Sequence, residues 1–198
     1  TFASQTIFAG YAYIICGGVP ISRMPESFLK LGQGYVGPIP VPVIVMVVIF
    51  AIGTFILNKT YFGRYFYALG GNEEAALLSG IKIKVVKCLV YSLSGLFAGI
   101  AGLVMLARAN TAQPNAGVGY EFDVITCVVL GGVSVNGGSG KMSNVIAGVL
   151  IIGVLSNGMV LMNISSYMQM VIKGIILLLA VGADCIQQMN LQKTKAIA

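Results

Sequence analysis

The sequence predicts an all-α fold, a polytopic bundle of transmembrane helices, and two observations support this prediction. Hydrophobic residues make up 57% of the 198 residues and charged residues only 9%, and the mean hydropathy of +0.91 lies far above that of soluble domains. The apolar residues also lie in long runs that short polar segments separate. At about 20 residues per crossing, the chain has room for five or six spans at most. We therefore predict that residues 1–198 form a single transmembrane domain.

The N-terminal part of the chain contains an apolar segment and a proline-rich segment. Phe2–Gly17 is apolar but short of a full span. Because the chain starts at Thr1 inside this segment, we expect a fragment whose N-terminal part is missing. Gly18–Pro40 contains four prolines, and since proline interrupts helices and strands, we predict a loop outside the bilayer core. The next segment, Val41–Asn58, has no charged residue and is predicted to span the membrane.

The most polar part of the chain is Gly63–Ile81, which reads GRYFYALGGNEEAALLSGI. This stretch and its edges contain five bases and two acids, and an excess of bases is typical of the cytoplasmic side of a membrane protein. The five bases are Lys59, Arg64, Lys82, Lys84 and Lys87. We therefore predict that the loop formed by residues 59–84 is cytoplasmic.

Within this loop the sequence predicts a turn, a short helix and a second turn. Gly70-Gly71 is expected to break the preceding structure, and Asn72 is a good N-cap for the residues that follow. Two acids then lie in the first turn, where the helix dipole favours negative charge. Ser79-Gly80 supplies a stop, so we expect a helix of roughly two turns, about 10 Å long. Ala75 and Leu78 share one face of this helix, which can press against a partner.

The second half of the chain contains three longer apolar segments and one short one. The three longer segments are predicted spans: Val85–Ala107, Asn144–Met162 and Tyr167–Ala183. Arg108–Asp123 is predicted to be an external loop. The short segment, Phe122–Val133, either crosses as a short or broken helix or re-enters. We favour crossing, since the positive-inside rule then places Lys141 and the basic C-terminal tail in the cytoplasm.

Besides Lys87, which lies near the start of Val85–Ala107, charged residues lie at or inside two of these segments. Lys173 lies inside the last one, and a charge in a span is by default a functional hypothesis, although its long side chain is able to reach the external interface. Glu121 and Asp123 are close neighbours where a loop meets a span. We interpret these two acids as solvated helix ends rather than as a catalytic or ion-coupling pair.

The residues that enzymes and metal sites require are scarce. The chain has no histidine, which removes the usual general base and metal ligand, and its four cysteines form no CxxC pair. Gly140-Lys141 is similar to the end of a phosphate loop, but Val135 and Met142 stand where that motif needs Gly and Ser or Thr. No basic patch interleaved with aromatics indicates nucleic-acid binding. We therefore predict no enzyme activity, no metal and no cofactor in this chain.

Two functional classes remain open from the residues alone. In the first class, the chain is one half of a membrane channel, and a cytoplasmic helix docked on a separate ATPase transmits force to it. This class accounts for the polar stretch and for the lack of an energy source in the chain itself. A secondary transporter or channel is the alternative, and we would expect it to have intramembrane acids or broken helices at mid-depth. Phe122–Val133 is the candidate for such a helix.

The amino-acid sequence of Gly63–Ile81 also resembles a motif of a known family. It is close to GRxxYAxGGNxxAAxLSGI, the coupling-loop pattern of ribose-type ABC sugar permeases, although Glu74 stands at a place that is usually small or variable. The resemblance covers most of residues 1–184. Further matching motifs are Tyr91-Ser92, Gly95, Ala112-Gln113-Pro114, Gly119-Tyr120-Glu121, Val129-Leu130-Gly131-Gly132, Gly137-Gly138-Ser139-Gly140, Ser166-Tyr167, Gln169 and Lys173-Gly174.

This resemblance implies a vitamin B12-type (type II) importer permease fold of about ten spans, of which the chain would be the C-terminal portion. It also implies a coupling segment that inserts into a groove of an ATPase. The coupling residues would be Arg64, Tyr65, Gly70, Gly71, Asn72, Glu73, Glu74, Ala75, Ala76, Leu78, Ser79, Gly80 and Ile81. The ATPase subunit binds the ATP, so no cofactor is expected in this chain.

The resemblance implies the partners and the location as well. Such permeases lie in the bacterial inner membrane and pair as a homodimer or a heterodimer. They bind an ABC ATPase subunit and accept a monosaccharide such as ribose from a periplasmic sugar-binding protein. The loop of residues 59–84 and the C-terminal tail are then cytoplasmic. The sequence predicts neither which sugar is carried nor the residues that contact it. A branched-chain amino-acid ABC permease is the nearest alternative in the same fold, and its coupling segment is expected to lack this wording.

Overall fold

The computed structural model describes the backbone of residues 2–197 and the side chains of residues 3–186. In this part of the chain the long apolar runs form helices, because a backbone in hydrocarbon must satisfy its own hydrogen bonds. The helices are α1 (Phe2–Cys16), α2 (Glu26–Gln33), α3 (Val41–Lys59), α4 (Tyr61–Gly71), α5 (Glu73–Leu78), α6 (Ile83–Ala109), α7 (Tyr120–Leu130), α8 (Met142–Leu161) and α9 (Ser166–Ile197). Short strands accompany them: β1 (Ile21–Ser22), β2 (Tyr35–Val36), β3 (Ile39–Pro40) and β4 (Thr111–Ala112). The predicted all-α class is confirmed.

Within the described chain, four helices are long and apolar enough to cross a bilayer. They are α3, α6, α8 and the part of α9 from Ser166 to Ile186. Each agrees closely with a predicted span, except that α9 continues past its predicted end at Ala183 to Ile197. No residue of α3 is buried, and an apolar surface of this kind suits lipid rather than water. The chain is therefore a membrane-embedded protein, as predicted.

Two shorter apolar helices accompany the four long ones. α1 has 15 residues and α7 has 11. At 1.5 Å per residue these helices are about 23 Å and about 17 Å long, whereas a hydrocarbon core is about 30 Å thick. α7 overlaps the predicted segment Phe122–Val133 and is a short helix, as expected. Crossing of the bilayer at this segment stays a prediction.

The chain divides into two compact units, and unit 1 comprises Thr1–Phe55 and Lys84–Val118. In unit 1, β1 pairs with β4, and β2 pairs with β3 across a turn at Gly37. The predicted loop Gly18–Pro40 therefore contains a helix and three strands, and describing all of it as a loop is wrong. The helix α2 forms because its eight residues contain no proline, and Pro25 stands just before it, where its fixed φ is tolerated.

Helix α2 of unit 1 packs against the end of α6. Gly32 approaches the backbone of Ala107 and Arg108 so closely that a Cβ at Gly32 would overlap both. The Gln33 side-chain amide also donates to the Arg108 carbonyl at 3.1 Å, and Ala107 is fully buried. These contacts fix the segment that follows α6, so α2 has a packing role.

Unit 2 comprises Ile56–Ile83 and Gly119–Ala198, and α7 and α8 run antiparallel in it. A Cβ at Gly131 would lie 2.6 Å from the Asn144 carbonyl oxygen, and a Cβ at Gly148 would overlap the Cys127 carbonyl oxygen. Glycine at these positions lets the two backbones touch. α7 also packs along α9. Helix α7 starts at Tyr120, so the last four residues of the predicted external loop Arg108–Asp123 belong to α7 and the loop is shorter than predicted.

Candidate functional site

The polar stretch begins at a tight corner between α3 and α4. The Thr60 hydroxyl donates to the Ile56 carbonyl at 2.6 Å, which closes the end of α3. Gly63 then packs directly against the backbone of Leu57, in a space that a Cβ would overlap. The corner therefore fixes where α4 starts, and it depends on glycine at position 63.

Helix α4 stands where the sequence predicted a turn before α5, so the polar stretch contains two helices rather than one. Gly70 and Gly71 form its last turn, and the helix ends at Gly71, as expected of a glycine pair that breaks the preceding structure. Asn72, whose backbone is extended, separates α4 from α5. Phe66 and Tyr67 are half-buried on one face of α4, and this tertiary packing stabilises a helix that propensity alone disfavours.

Helix α5 has both of the end signals that the sequence predicted. The Asn72 side chain accepts a hydrogen bond from the Ala75 N–H at 3.0 Å, so the N-cap is confirmed. At the other end, the N–H of Gly80 donates to Leu77 and that of Ile81 donates to Ala76, which is a Schellman motif. Gly80 has φ +81°, a conformation that favours glycine. α5 is thus a six-residue helix with a defined start and stop.

Most of the surface of α5 is accessible. Only Ala76 faces inward, with 3% of its surface exposed, whereas Leu77 is 61% exposed and Leu78 is 89% exposed. Glu73 and Glu74 stand in the first turn and are exposed as well. Two exposed leucines beside two acids form a surface that is costly in water unless a partner covers it. The predicted coupling residues include Leu78 but not Leu77. The adjacent pair of leucines indicates an exposed apolar surface, because a helix this short cannot bury both side chains.

The first turn of α4 contains Arg64 and Tyr65 of the predicted coupling set. The Arg64 guanidinium lies over the Tyr61 ring, 4.7 Å from its centroid, a cation–π distance. Tyr65 is exposed. Arg64 and Tyr65 therefore lie on α4 and lead toward α5, as expected, but they lie on a separate helix from it.

A second segment meets α4, and we name Ser134–Gly140 the glycine loop. The Ser134 N–H donates to the Ser139 carbonyl at 3.1 Å, and the Gly137 N–H donates to Ser134 at 3.1 Å, so the loop is closed on itself. Gly138 has φ +73°. A Cβ at Gly138 would lie 2.6 Å from both the N and the Cα of Gly71. Two glycine-rich segments thus pack backbone against backbone.

A side chain that the sequence interpretation missed reinforces this contact. The Tyr67 hydroxyl donates to the Gly140 carbonyl at 3.0 Å. The two residues are 73 positions apart, so local pattern gives no signal for their meeting. On the other side of the loop, the Asp184 carboxylate of α9 accepts from the Val135 N–H at 3.2 Å. The glycine loop therefore joins α4 to α9 within unit 2.

An ion pair links α7 to α9 elsewhere in unit 2. Lys173 Nζ lies 2.6 Å from Asp123 Oδ2. The interpretation of Asp123 as a solvated helix end is therefore wrong, because its carboxylate is 31% exposed and paired. Lys173 does not need to reach an interface for its charge to be compensated. Glu121, by contrast, is exposed.

Among the described residues, no group of three or more histidine, cysteine, aspartate or glutamate side chains is placed to hold a metal ion. Buried side-chain polar atoms in the same part of the chain all have hydrogen-bond partners. The described site consists of the exposed helix α5 and of the backbone contact between α4 and the glycine loop.

An all-helical membrane protein with a compact polar segment between two spans is the class that these observations define. A family model described as the permease component of a branched-chain amino acid transport system matches residues 1–181. The chain belongs to this family of transport permeases.

Curated relatives are similar over nearly the whole chain. The ribose import permease protein RbsC of Bacillus subtilis is 48% identical over 186 residues, which cover 93% of this chain and 58% of that protein. RbsC of Haemophilus influenzae is 44% identical over 188 residues, covering 93% and 58%. The L-arabinose transport system permease protein AraH of Escherichia coli is 45% identical over 188 residues, covering 95% and 57%. The chain spans less than two thirds of these relatives' length. No solved structure matches it.

Proposed function

We propose that this chain is the C-terminal part of the transmembrane subunit of an ATP-driven ABC importer that carries a monosaccharide. The observation that supports this most directly is α5, a helix with a defined start and stop whose Leu77 and Leu78 are exposed between two spans. A short rigid helix with an apolar, acidic surface is suited to docking in a groove of another protein. The chain is then a transport subunit and not an enzyme.

The proposal of a sugar as the substrate rests on the relatives. The relatives are ribose and L-arabinose permeases, whereas the family is described by branched-chain amino acid transport. The sequence of Gly63–Ile81 favours the sugar permeases over the amino-acid permeases. Both pentoses are polyhydroxy compounds without charge, so uptake of labelled ribose, arabinose and leucine by one preparation distinguishes the two classes.

The partners in this proposal are an ABC ATPase, a second permease copy and a periplasmic sugar-binding protein. The ATPase binds ATP and contacts α4 and α5 through the predicted coupling residues, with Leu77 added to them. The second copy supplies the other half of the translocation pathway. The binding protein delivers the sugar on the opposite side of the bilayer.

The orientation follows from charge. The bases around Gly63–Ile81 place residues 59–84 in the cytoplasm by the positive-inside rule. The glycine loop contacts α4, and Asp184 of α9 contacts the glycine loop, so both belong on the same side. Lys141, which follows the loop, and the basic tail then satisfy the rule as well. The proposed location is the bacterial inner membrane.

The mechanism we propose uses α4 and α5 as a lever. ATP closes the ATPase dimer, and α5 moves with the groove that holds it. Because α3 leads into α4 at the tight corner at Gly63 and α6 starts shortly after Gly80, the movement re-tilts both spans. The pathway between the two permease copies then opens to the other side of the membrane.

A secondary transporter is the second candidate, and one observation favours it. Asp123 and Lys173 form an ion pair between α7 and α9, and charged residues in spans frequently serve ion coupling. A salt-bridged pair holds its charges without needing a transported ion, which is why we place this candidate second.

Uptake by the full-length permease with its ATPase and binding protein in proteoliposomes tests the proposal. We expect labelled sugar to accumulate when ATP is supplied and to stop accumulating when it is replaced by a non-hydrolysable analogue. A proton or sodium gradient alone should have no effect. Accumulation that follows the gradient and ignores ATP would support the secondary transporter and contradict the importer.

A further inference from the structure

Where Gly70-Gly71 of α4 meets Gly137-Gly138 of the glycine loop, the contact is between the two backbones. A Cβ at Gly70 would overlap the backbone nitrogen of Gly138, and a Cβ at Gly138 would lie 2.9 Å from the carbonyl carbon of Gly70. Real Cβ atoms do not approach so closely, so both positions need glycine. Backbones that touch directly have no flexible side chain to absorb a displacement. A movement of the end of α4 must therefore move the loop.

The loop in turn is firmly connected to the helices on either side of it. Its neck is closed by the hydrogen bond from Ser134 to Ser139. A Cβ at Gly140 would lie 2.8 Å from the Val133 side chain, so the two arms of the loop also pack together. α7 ends at Leu130 and α8 begins at Met142, only a few residues from these contacts. A displacement of the loop is thus passed to the ends of both helices.

Two polar contacts hold the loop from opposite sides. The Tyr67 hydroxyl of α4 donates to Gly140 at 3.0 Å, and the Asp184 carboxylate of α9 accepts from Val135 at 3.2 Å. Neither contact lies in α5, so neither is needed for α5 to meet a partner. The contacts instead extend the connection from α4 to a third helix.

We propose that the glycine loop transmits the movement of α4 and α5 to α7, α8 and α9, as a second route beside the covalent attachment to α3 and α6. Tyr67, Gly70 and Gly138 are the positioning residues of this route. The inference rests on the proposed function, because the ATPase supplies the movement. The proposal assigns a role in transport to the glycine loop, which is not part of the docking surface of α5.

The test separates docking, ATP hydrolysis and uptake. Full-length permease, its ATPase and its binding protein are reconstituted in proteoliposomes, and labelled ribose and arabinose uptake is measured together with phosphate release. Gly138→Ala lies in the loop, outside the predicted coupling residues, and would place a Cβ 2.6 Å from the Gly71 backbone. Tyr67→Phe removes one hydrogen bond without changing the shape of the side chain. Gly153→Ala in α8 is the matched control, because a Cβ there would meet no heavy atom of the described chain within 4 Å.

For Gly138→Ala we expect the ATPase to co-purify and hydrolyse ATP as in wild type, while sugar transported per ATP falls about 2- to 30-fold. For Tyr67→Phe the ratio should fall about twofold to tenfold, and Gly153→Ala should keep the wild-type ratio. Unfolding temperatures in detergent report whether each variant folds. If Gly138→Ala does not fold, Tyr67→Phe decides the question.

Two results would overturn the inference. An unchanged ratio in Tyr67→Phe and in folded Gly138→Ala would mean that the loop transmits nothing. Loss of ATPase co-purification in these variants would mean that the loop shapes the docking surface instead. Both differ from failure of the proposed function, in which wild-type permease itself shows no ATP-driven uptake.

Discussion

Lys173 of α9 and Asp123 of α7 form an ion pair with 2.6 Å between Nζ and Oδ2. The two side chains are only 23% and 31% exposed, so water screens the pair less than it screens a surface salt bridge. The pair joins the short helix α7 to a helix of spanning length. We therefore expect it to hold α7 in place.

Removing one partner of this pair should destabilise the protein. Asp123→Ala or Lys173→Ala each leaves a charge uncompensated in a poorly hydrated site, and we expect a loss of about 1–3 kcal/mol, between the values for exposed and buried pairs. The double variant should lose less than the sum of the single ones. Unfolding in detergent with a chemical denaturant measures all three. Glu121→Ala is the matched control, since this nearby acid is exposed. Additive losses would show that the two groups do not interact.

Any side chain at position 63 should destabilise the corner between α3 and α4. A Cβ there would overlap the Leu57 backbone, so Gly63→Ala must open the corner, at a cost of about 1–3 kcal/mol. Gly71→Ala is the control, because a Cβ at Gly71 would meet no heavy atom of the described residues within 4 Å. Thermal unfolding and limited trypsin cleavage at the lysines that flank the polar stretch check this. Equal stability of the two variants would contradict the tight corner.

The stop of α5 should depend on the conformation of Gly80. Its φ of +81° is unfavourable for a β-branched residue by roughly 1–2 kcal/mol, so Gly80→Val should distort the exit from α5 and reduce ATP-driven uptake. Gly80→Asn should be milder, since asparagine tolerates the left-handed region. Uptake normalised to the amount of inserted permease measures this effect. Full uptake by Gly80→Val would count against the role of this turn.

The features that the sequence predicted correctly are local ones. The spans follow from apolar runs, and the start and stop of α5 follow from Asn72 and Gly80, whose side chain and backbone act within a few residues. Composition and spacing are sufficient for such features. The same local signals did not predict α4 itself, where tertiary packing outweighs the low helix propensity of the glycines in this helix.

The features that the sequence did not predict depend on residues far apart in the chain. Tyr67 meets Gly140 across 73 positions, and Asp123 meets Lys173 across 50. No periodicity specifies such pairs, because they are set by how helices pack. Gly70 and Gly138 each belong to a glycine-rich motif in the sequence. That the two backbones touch is shown only by the structure. Leu77 was missed for a different reason: only one leucine of the pair was assigned to the docking face.

The most direct test of the central claim is co-purification of the full-length permease with its ATPase. Leu77→Ser combined with Leu78→Ser removes the exposed apolar surface of α5 without touching buried Ala76, and Leu77→Met with Leu78→Met preserves that surface as a control. We predict that the serine variant inserts normally but loses the ATPase, while the methionine variant retains it. An intact complex with the serine variant would contradict the assignment of α5 as the docking helix.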